Sequence, residues 1–528
     1  MVTKAFSLRD EGVKANIVTM TIWLPDLTGV TGPRYLAIAD ALERDIAAER
    51  LKPGDRLPPQ RDLAWALGVT VGTVGRAYAE AARRGLVGGQ VGRGTYIMAT
   101  APRREHAAAD LQPAFLPSLG PYYPPPRPAA AVADPPADPS ANWFAAHGEA
   151  MEAIDLAPNY PASEGMAAMM AQALAMVGDR GRLESLVNYA HAGGRPEHRA
   201  AAARWLAGLG VARQGESVLL APGCQGGLTA VFSALTRPGD TILCESLSWP
   251  GMVSFAWMRG LSAQGVAMDG EGIIPEAFEE ACIRHRPSAA YLMPSMHNPT
   301  TIVLPERRRE ALAAIARRHG VWLVEDDVYG FLAPDSPPPI RSFAPDRGIY
   351  VSSLSKAVAP GLRVGFVLAP EAVVPGIAAA LRTTVLMGAP LQSELAMHLI
   401  DSGLAAEAAE RQRTTAQRRQ RLAAQVLGEL YHPANAGLGR AFHIWLPLPE
   451  PWRMHEFVAA MRSRGVALTP GDAFRVNPPG RDDGISQIAM NAVRLCLNGP
   501  ASDDDVRHGL TIVADVLRQP TRAEMPVI

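Results

Sequence analysis

A single lysine, Lys356, lies between hydroxyl-bearing residues and a Pro-Gly turn in the stretch VSSLSKAVAPGLRVGFVLAP (351–370). The residues before it form a short apolar run that predicts a buried strand, so the amine would follow the carboxyl end of that strand. Residues that could contact a ligand also follow four other predicted strands. They lie in LLAPGCQGGLTA, CESLSWPG, MPSMHNPT and LVEDDVYG, and they are Gly223, Cys224, Gln225, Trp249, Asn298, Asp326 and Tyr329. Because functional groups of an open α/β sheet collect at the carboxyl ends of its strands, these segments are expected to form one site.

This set of residue types fits pyridoxal 5′-phosphate (PLP). The Lys356 amine can condense with the aldehyde of PLP, and the Asp326 carboxylate can keep the pyridine nitrogen protonated. Asn298 and Tyr329 can hydrogen-bond the ring oxygen and favour its anionic form, while Trp249 can stack on the ring face. The phosphate would be held by the helix start at Gly223, Cys224 and Gln225, together with Ser353, Ser355 and Arg363. Each feature alone is common in other proteins, so it is their joint order at strand ends that favours the cofactor.

The pattern of elements divides the chain into four parts. Residues 1–31 show little periodicity and are interpreted as an extension, and residues 32–98 read as a compact small domain. Residues 99–150 include PYYPPPRPAAAVADPPADPSA, whose proline density favours an extended, semi-rigid linker. Over residues 151–520, short apolar runs alternate with helical patterns, which predicts an α/β fold with a mostly parallel sheet.

Composition restricts the class of protein. A hydrophobic share of 48% and a net charge of −1 are typical of a globular chain and argue against one that binds polyanions along its whole length. The four cysteines are widely spaced, so neither a disulfide framework nor a metal site is expected. No apolar run of about 18 residues predicts a membrane span, and the first residues lack a signal-peptide pattern. A cytoplasmic location is therefore expected.

On these motifs, the large part of the chain resembles a fold-type I, class I aminotransferase domain. The matching residues are HNPT, the D-x-x-Y pair Asp326 and Tyr329, and S-x-S-K-x-x-x-P-G-x-R from Ser353 to Arg363. The resemblance implies large and small subdomains, and it implies that Arg494 binds the α-carboxylate of the substrate. It also implies that Tyr189 reaches the phosphate of a neighbouring subunit, which would make the protein a homodimer with shared PLP sites.

Two segments depart from the family pattern. Thr300 and Thr301 stand where relatives often have Thr-Gly, and Gly226 and Gly227 follow the phosphate-binding turn. These departures leave the cofactor prediction intact and leave the substrate preference open.

The small domain has the order helix, helix, turn, helix and β-hairpin, which is that of a winged helix-turn-helix. It resembles the GntR family in RLPPQRDLA, TVGRAYAEAARRGLV and GRGTY. The resemblance implies binding to double-stranded operator DNA, with helix 70–84 in the major groove. The residues that it places at the DNA are Arg61, Thr70, Thr73, Arg76 and Arg93.

The start of the predicted recognition helix differs from the family pattern. Relatives commonly carry Ser-Arg-x-Thr there, whereas this chain has Thr70-Val71-Gly72-Thr73. The arginine best suited to a guanine contact is therefore missing. Base readout is expected to depend on threonine hydroxyls and on methyl groups, with Arg61 and Arg93 supplying affinity.

A GntR-type winged helix, a Pro-rich linker and an aminotransferase-like domain in one chain resemble the MocR subfamily of PLP-dependent transcriptional regulators. The leading hypothesis is a regulator that senses an amino-acid or amine effector by aldimine exchange at Lys356. The alternative is a working aminotransferase with a secondary winged helix, because Asp326, Tyr329, Lys356 and Arg494 would support proton transfer. A PLP-dependent lyase or decarboxylase has no sequence feature in its favour over transamination.

Overall fold

The computed structural model describes residues 23–27, 34–48, 50–83, 86–90, 94–97, 154–178, 180–211, 218–476 and 491–518. These residues belong to two compact units, one within Met1–Asp110 and the other within Leu111–Ile528. The predicted linker at 99–150 and the predicted DNA contact Arg93 lie outside the described residues.

In the described residues of the amino-terminal unit, three helices and a β-hairpin are present. They are α1 (Arg34–Ala47), α2 (Gln60–Leu67), α3 (Val71–Arg83), β1 (Val87–Gln90) and β2 (Gly94–Ile97). Helix α2 ends at Gly68, whose φ of 62° is a left-handed conformation that glycine adopts without steric cost. Apolar residues at helical spacing, such as Val74, Tyr78 and Ala81 of α3, fill the core of this unit. The predicted winged helix-turn-helix is confirmed.

A seven-stranded sheet forms the centre of the larger unit, in the order β4-β12-β11-β10-β9-β5-β6. Its strands are β4 (Val218–Ala221), β5 (Thr241–Glu245), β6 (Ser262–Val266), β9 (Ala289–Leu292), β10 (Trp322–Asp326), β11 (Gly348–Ser353) and β12 (Gly365–Leu368). Neighbouring strands are parallel except at β12, which runs antiparallel to both β4 and β11. The strands are apolar along most of their length because both faces of the sheet are covered.

Helices precede, connect and follow these strands. They are α4 (Met166–Met176), α5 (Arg180–Leu186), α6 (Pro196–Gly208), α7 (Gly223–Leu235), α8 (Pro250–Arg259), α9 (Pro275–His285), α10 (Glu306–His319), α11 (Val374–Val385), α12 (Pro390–Asp401) and α13 (Leu404–Leu427). Several begin with proline, whose fixed φ suits the first helical position. None of the helices in the described ranges combines the length and the apolar character that crossing a bilayer requires.

A second core lies in a smaller subdomain. Its elements are β3 (Ile154–Asp155), β13 (His443–Pro447), α14 (Met454–Arg462), β14 (Val466–Ala467), β15 (Thr469–Pro470), β16 (Ala492–Cys496) and α15 (Asp503–Arg518). Two further short strands, β7 (Met268–Asp269) and β8 (Gly272–Ile273), form an antiparallel pair near the large sheet. Strands β13, β16 and β15 form an antiparallel sheet, and β3 pairs with β14. Leu156 is therefore part of this second core although it precedes the large sheet in sequence.

Candidate functional site

The polar residues predicted from the strand ends meet at the carboxyl edge of the large sheet. Asp326 is the last residue of β10, and Lys356 follows β11 by three residues. Cys224, in the first turn of α7, lies with its Sγ 3.2 Å from Asp326 Oδ1. The Lys356 Nζ is 5.9 Å from the centre of the Tyr329 ring. The amine, the carboxyl and the phenol thus share one site.

The Asp326 carboxyl is buried and is held by two donors. The Tyr291 hydroxyl donates to Oδ2 at 2.7 Å, and the Cys224 thiol donates to Oδ1. Burial raises the pKa of Asp326 to about 6, while both donors act in the opposite direction and favour the ionised form. A carboxylate in this environment is suited to pair with a cationic N–H group.

Lys356 has an amine that loses its proton unusually easily. Burial and the nearby positive charge of Arg494 lower the pKa of Lys356 to about 8. Its Nζ donates a hydrogen bond to the backbone carbonyl of Asn159. A substantial neutral fraction near pH 8 makes this amine a competent nucleophile toward an aldehyde.

Three polar side chains at the site had no recognisable signal in the sequence. Besides Tyr291, these are Asn159 and His443, which are both buried. Asn159 Nδ2 lies 2.7 Å from the Tyr329 hydroxyl and 3.1 Å from His443 Nδ1. Asn159 precedes Tyr329 by 170 residues, and no spacing or motif joins the two. The segment that carries Asn159 is held in the small subdomain by the pairing of β3 with β14 and by the Cys496 N–H, which donates to the Leu156 carbonyl.

Arg494 and Asn298 form a buried pair at one end of the site. The Arg494 Nη1 donates to Asn298 Oδ1 at 2.8 Å, and Nη2 donates to the Ala157 carbonyl at 2.8 Å. The guanidinium carbon lies 4.8 Å from the centre of the Phe474 ring. Because Asn298 uses its oxygen for Arg494, its amino group remains as the donor for a ligand.

The other end of the site is built from Gly223 and Arg363. Gly223 has a φ of +73°, and a Cβ at this residue would lie 2.4 Å from Arg363 Nη2. Glycine therefore lets the guanidinium approach the start of α7, where free backbone N–H groups attract anions. Beside them, the Ser353 Oγ accepts the Ser355 N–H at 3.3 Å. This arrangement is suited to a phosphate group.

Trp249, Gln225 and Tyr189 are the remaining residues of the predicted cofactor site. Trp249 immediately precedes α8, and its ring covers Gly251 so closely that a Cβ there would lie 2.2 Å away. Gln225 is exposed in the first turn of α7. Tyr189 is 81% exposed, and no hydrogen bond that the structure gives for the described residues joins it to the site. Its contact with a second subunit stays a prediction.

The two departures from the family pattern have structural explanations. Thr301 adopts a φ of +63°, a conformation typical of glycine, but its hydroxyl accepts the Gly437 N–H at 2.9 Å and donates to the Ala434 carbonyl at 3.4 Å. Gly227 lets α7 pack against the sheet, since a Cβ there would lie 3.0 Å from the side chains of Val351 and Val367.

In the amino-terminal unit, the predicted DNA-contact residues lie at the start of α3 and on α2. Arg61, Thr70 and Arg76 are exposed, and Thr73 is half-buried. The Thr70 Oγ accepts the Thr73 N–H at 3.2 Å, which caps α3, and the two hydroxyls are 2.9 Å apart. The Arg76 guanidinium lies 5.4 Å from the centre of the Tyr35 ring. These side chains lie on the elements that a helix-turn-helix presents to DNA.

Comparison with known proteins agrees with both units. Residues 152–509 match the family described as aminotransferase class I and II, and residues 34–97 match the bacterial regulatory proteins of the gntR family. The chain is similar to the kynurenine aminotransferase of Pyrococcus horikoshii, with a TM-score of 0.64 and 20% identity over 72% of this chain and 94% of that one. This likeness establishes the fold alone.

Relatives with both units are also found. The chain is 27% identical to the uncharacterized HTH-type transcriptional regulator YdeF of Bacillus subtilis, over 94% of this chain and 96% of YdeF. It is 27% identical to the uncharacterized HTH-type transcriptional regulator YdcR of Escherichia coli, over 84% of this chain and 92% of YdcR. A GntR winged helix joined to an aminotransferase fold of type I defines a class of bacterial regulators. The chain belongs to the aminotransferase class I and II family and, with its GntR domain, to the MocR subfamily.

Proposed function

We propose that this protein is a PLP-dependent transcriptional regulator that binds operator DNA and senses an amino compound at Lys356. The observation that carries the proposal is a half-buried lysine whose pKa is lowered to about 8, beside a buried carboxyl, in a chain that also contains a GntR winged helix. The relatives matched over nearly the whole chain are named as transcriptional regulators, which supports regulation rather than metabolism as the main role.

The residues present fit PLP at both ends of the site. Arg363 approaches Gly223 so closely that any larger residue at position 223 would fill the space between them. We propose that Arg363 and the start of α7 hold the phosphate there, together with Cys224, Gln225, Ser353 and Ser355. At the other end, Asp326 would pair with the pyridine nitrogen, and Asn298 and Tyr329 would donate to the ring oxygen. When bound, PLP supplies an aldehyde that condenses with amines and a ring that stabilises negative charge.

The effector is proposed to be an amine that carries a carboxylate. Arg494 is buried beside Lys356, and a guanidinium there can pair with a carboxylate while the effector amine replaces Lys356. The protein is proposed to act as a homodimer, with Tyr189 of each subunit at the phosphate of the other. Loss of the link to Lys356 would then favour one of two arrangements of the paired DNA-binding domains.

An experiment with two readouts tests this function. Amino acids and other amines are screened for a change in the visible absorption of the purified protein, and each active compound is then titrated against operator DNA binding. We expect a compound that changes the spectrum to change DNA affinity, by about 5–150-fold for a coupling of about 1–3 kcal/mol. By thermodynamic linkage, operator DNA must change the affinity for that compound by the same factor.

Two variants separate the units in this experiment. Lys356→Ala should lose the visible band that borohydride fixes to the protein, and it should keep DNA binding. Arg61→Ala should weaken DNA binding and keep the spectral response. If active compounds are turned over with a keto acid and leave DNA affinity unchanged, the protein is an aminotransferase first, and the proposed function is wrong.

A further inference from the structure

A chain of buried hydrogen bonds leads from Pro299 to Tyr329 through His443 and Asn159. The His443 side chain is 1% exposed and Asn159 is 8% exposed. His443 Nε2 lies 3.0 Å from the Pro299 carbonyl oxygen, and His443 Nδ1 lies 3.1 Å from Asn159 Nδ2. Asn159 Nδ2 in turn lies 2.7 Å from the Tyr329 hydroxyl. The chain thus joins the small sheet to a residue predicted to contact PLP.

The direction of each hydrogen bond follows from the first member of the chain. A carbonyl oxygen only accepts, so His443 Nε2 must carry a proton. Burial and the charge of Arg494 lower the pKa of His443 well below its usual value, so the ring is neutral and Nδ1 is an acceptor.

The protonation state of His443 also fixes the direction of the next two hydrogen bonds. Asn159 must present its amino group to His443, and the second N–H of that group points at the Tyr329 oxygen. Since an amino group cannot accept, the Tyr329 hydroxyl cannot donate to Asn159, and its hydrogen must point elsewhere.

We propose that Asn159 and His443 are positioning residues that make Tyr329 donate its hydroxyl hydrogen toward the ring oxygen of PLP. The inference rests on the proposed function, which places PLP beside Tyr329. Asn159 is well suited to this task, because its backbone carbonyl also accepts the Lys356 Nζ–H. One residue thereby orients both the amine and the phenol of the site.

This orientation has a consequence for the absorption spectrum. With PLP bound, a donor at its ring oxygen would favour the anionic ring and would lower the pH midpoint of the visible band. The charged and titratable groups near Tyr329 and His443 are Asp326, Lys356, Arg494, Cys496 and His297. All of these groups are kept in the variants that test the proposal.

The test uses an isosteric variant that reverses the direction of the hydrogen bond between Asn159 and Tyr329. Asn159→Asp presents only oxygens, so Tyr329 would donate to it and would no longer donate to the ring oxygen. We expect the pH midpoint of the visible band to rise by about one pH unit, which is the size expected for one lost hydrogen bond. Tyr329→Phe should raise the midpoint by a similar amount.

A double variant separates the effect of the lost Tyr329 hydrogen bond from the effect of the new charge at residue 159. The new carboxylate could raise the midpoint directly through its charge, and such an effect would persist when Tyr329 is absent. We therefore expect Asn159→Asp to have little further effect in the Tyr329→Phe background. His443→Leu, which adds no charge, should raise the midpoint by less than Asn159→Asp does, because the Asn159 amide can then rotate.

The outcomes of these measurements distinguish a failure of the inference from a failure of the proposed function. A wild-type protein without a visible band would contradict both the proposed function and this inference. A coloured wild type whose midpoint does not move in Asn159→Asp would contradict the inference alone. Full additivity of the two substitutions would also contradict it, since the Asp would then act without Tyr329.

Discussion

At the scale of single residues, Lys356 should destabilise the cofactor-free protein below pH 8. Its pKa is about 8 in the folded chain and about 10.4 when unfolded. Between these values the unfolded chain binds more protons, so the free energy of unfolding rises with pH over that interval. We expect Lys356→Met to stabilise the cofactor-free protein by about 3 kcal/mol at pH 7, with the difference shrinking toward pH 10.

Denaturant unfolding of both proteins from pH 7 to pH 10 measures this difference. A stability gap that stays constant across the range would show that the variant acts through packing rather than through the charge of Lys356.

The residues of the site differ in how far the sequence could predict them. Asp326, Tyr329 and Lys356 were found because each lies at or just past the end of an apolar strand, in a motif with fixed spacing. Asn159, Tyr291 and His443 have no such spacing. Asn159 and His443 are 284 residues apart, and they meet because β3 joins the small subdomain. Their positions at the site depend on tertiary contacts that no local pattern encodes.

At the scale of elements, the site depends on the close approach of β12 to the start of α7. A Cβ at Gly365, the first residue of β12, would lie 2.4 Å from the backbone carbonyl carbon of Gly223. Gly365→Ala must therefore displace the turn that is proposed to hold the phosphate. We expect a loss of stability of about 1–3 kcal/mol together with weaker PLP binding.

Gly361→Ala is the matched control for this substitution. It lies in the same connection, and a Cβ there would have no atom within 4 Å. Thermal unfolding and PLP titration of both variants make the comparison. Equal PLP affinity in Gly365→Ala and wild type would show that the start of α7 does not hold the cofactor.

The sheet order shows what the element pattern could and could not predict. The alternation of strands and helices predicted a mostly parallel sheet, and this is confirmed. The antiparallel direction of β12 was not predicted, although the connection from Ser353 to Gly365 contains only a short 3₁₀ turn at Pro360–Leu362 and no α-helix. A parallel neighbour needs a longer crossover, usually with a helix, so the length of this connection already favours reversal.

At the scale of the whole molecule, the proposed dimer would present two winged helices to one operator. A dimer reads half-sites on one face of the duplex, so their spacing in helical turns decides whether both can be bound. We expect an insertion of about 5 bp between the half-sites to abolish tight binding, and an insertion of about 10 bp to weaken it less. Fluorescence anisotropy with the three operators measures this. Equal affinity for all three would mean that the half-sites are bound independently.

Under the proposed function, the reversal at β12 also affects the concentration that an effector needs in order to replace Lys356. Lys356 lies on a connection whose two ends are pinned, because Ser353 pairs directly with Gly365 across β11 and β12. If an effector displaces Lys356 from the cofactor as proposed, the lysine amine would stay beside the cofactor, at an effective concentration on the order of millimolar or more. The proposed effector would compete with this tethered lysine at every moment, so an amine at trace levels would be outcompeted. Only a compound that is abundant, or that gains a second attachment at Arg494, would hold the site.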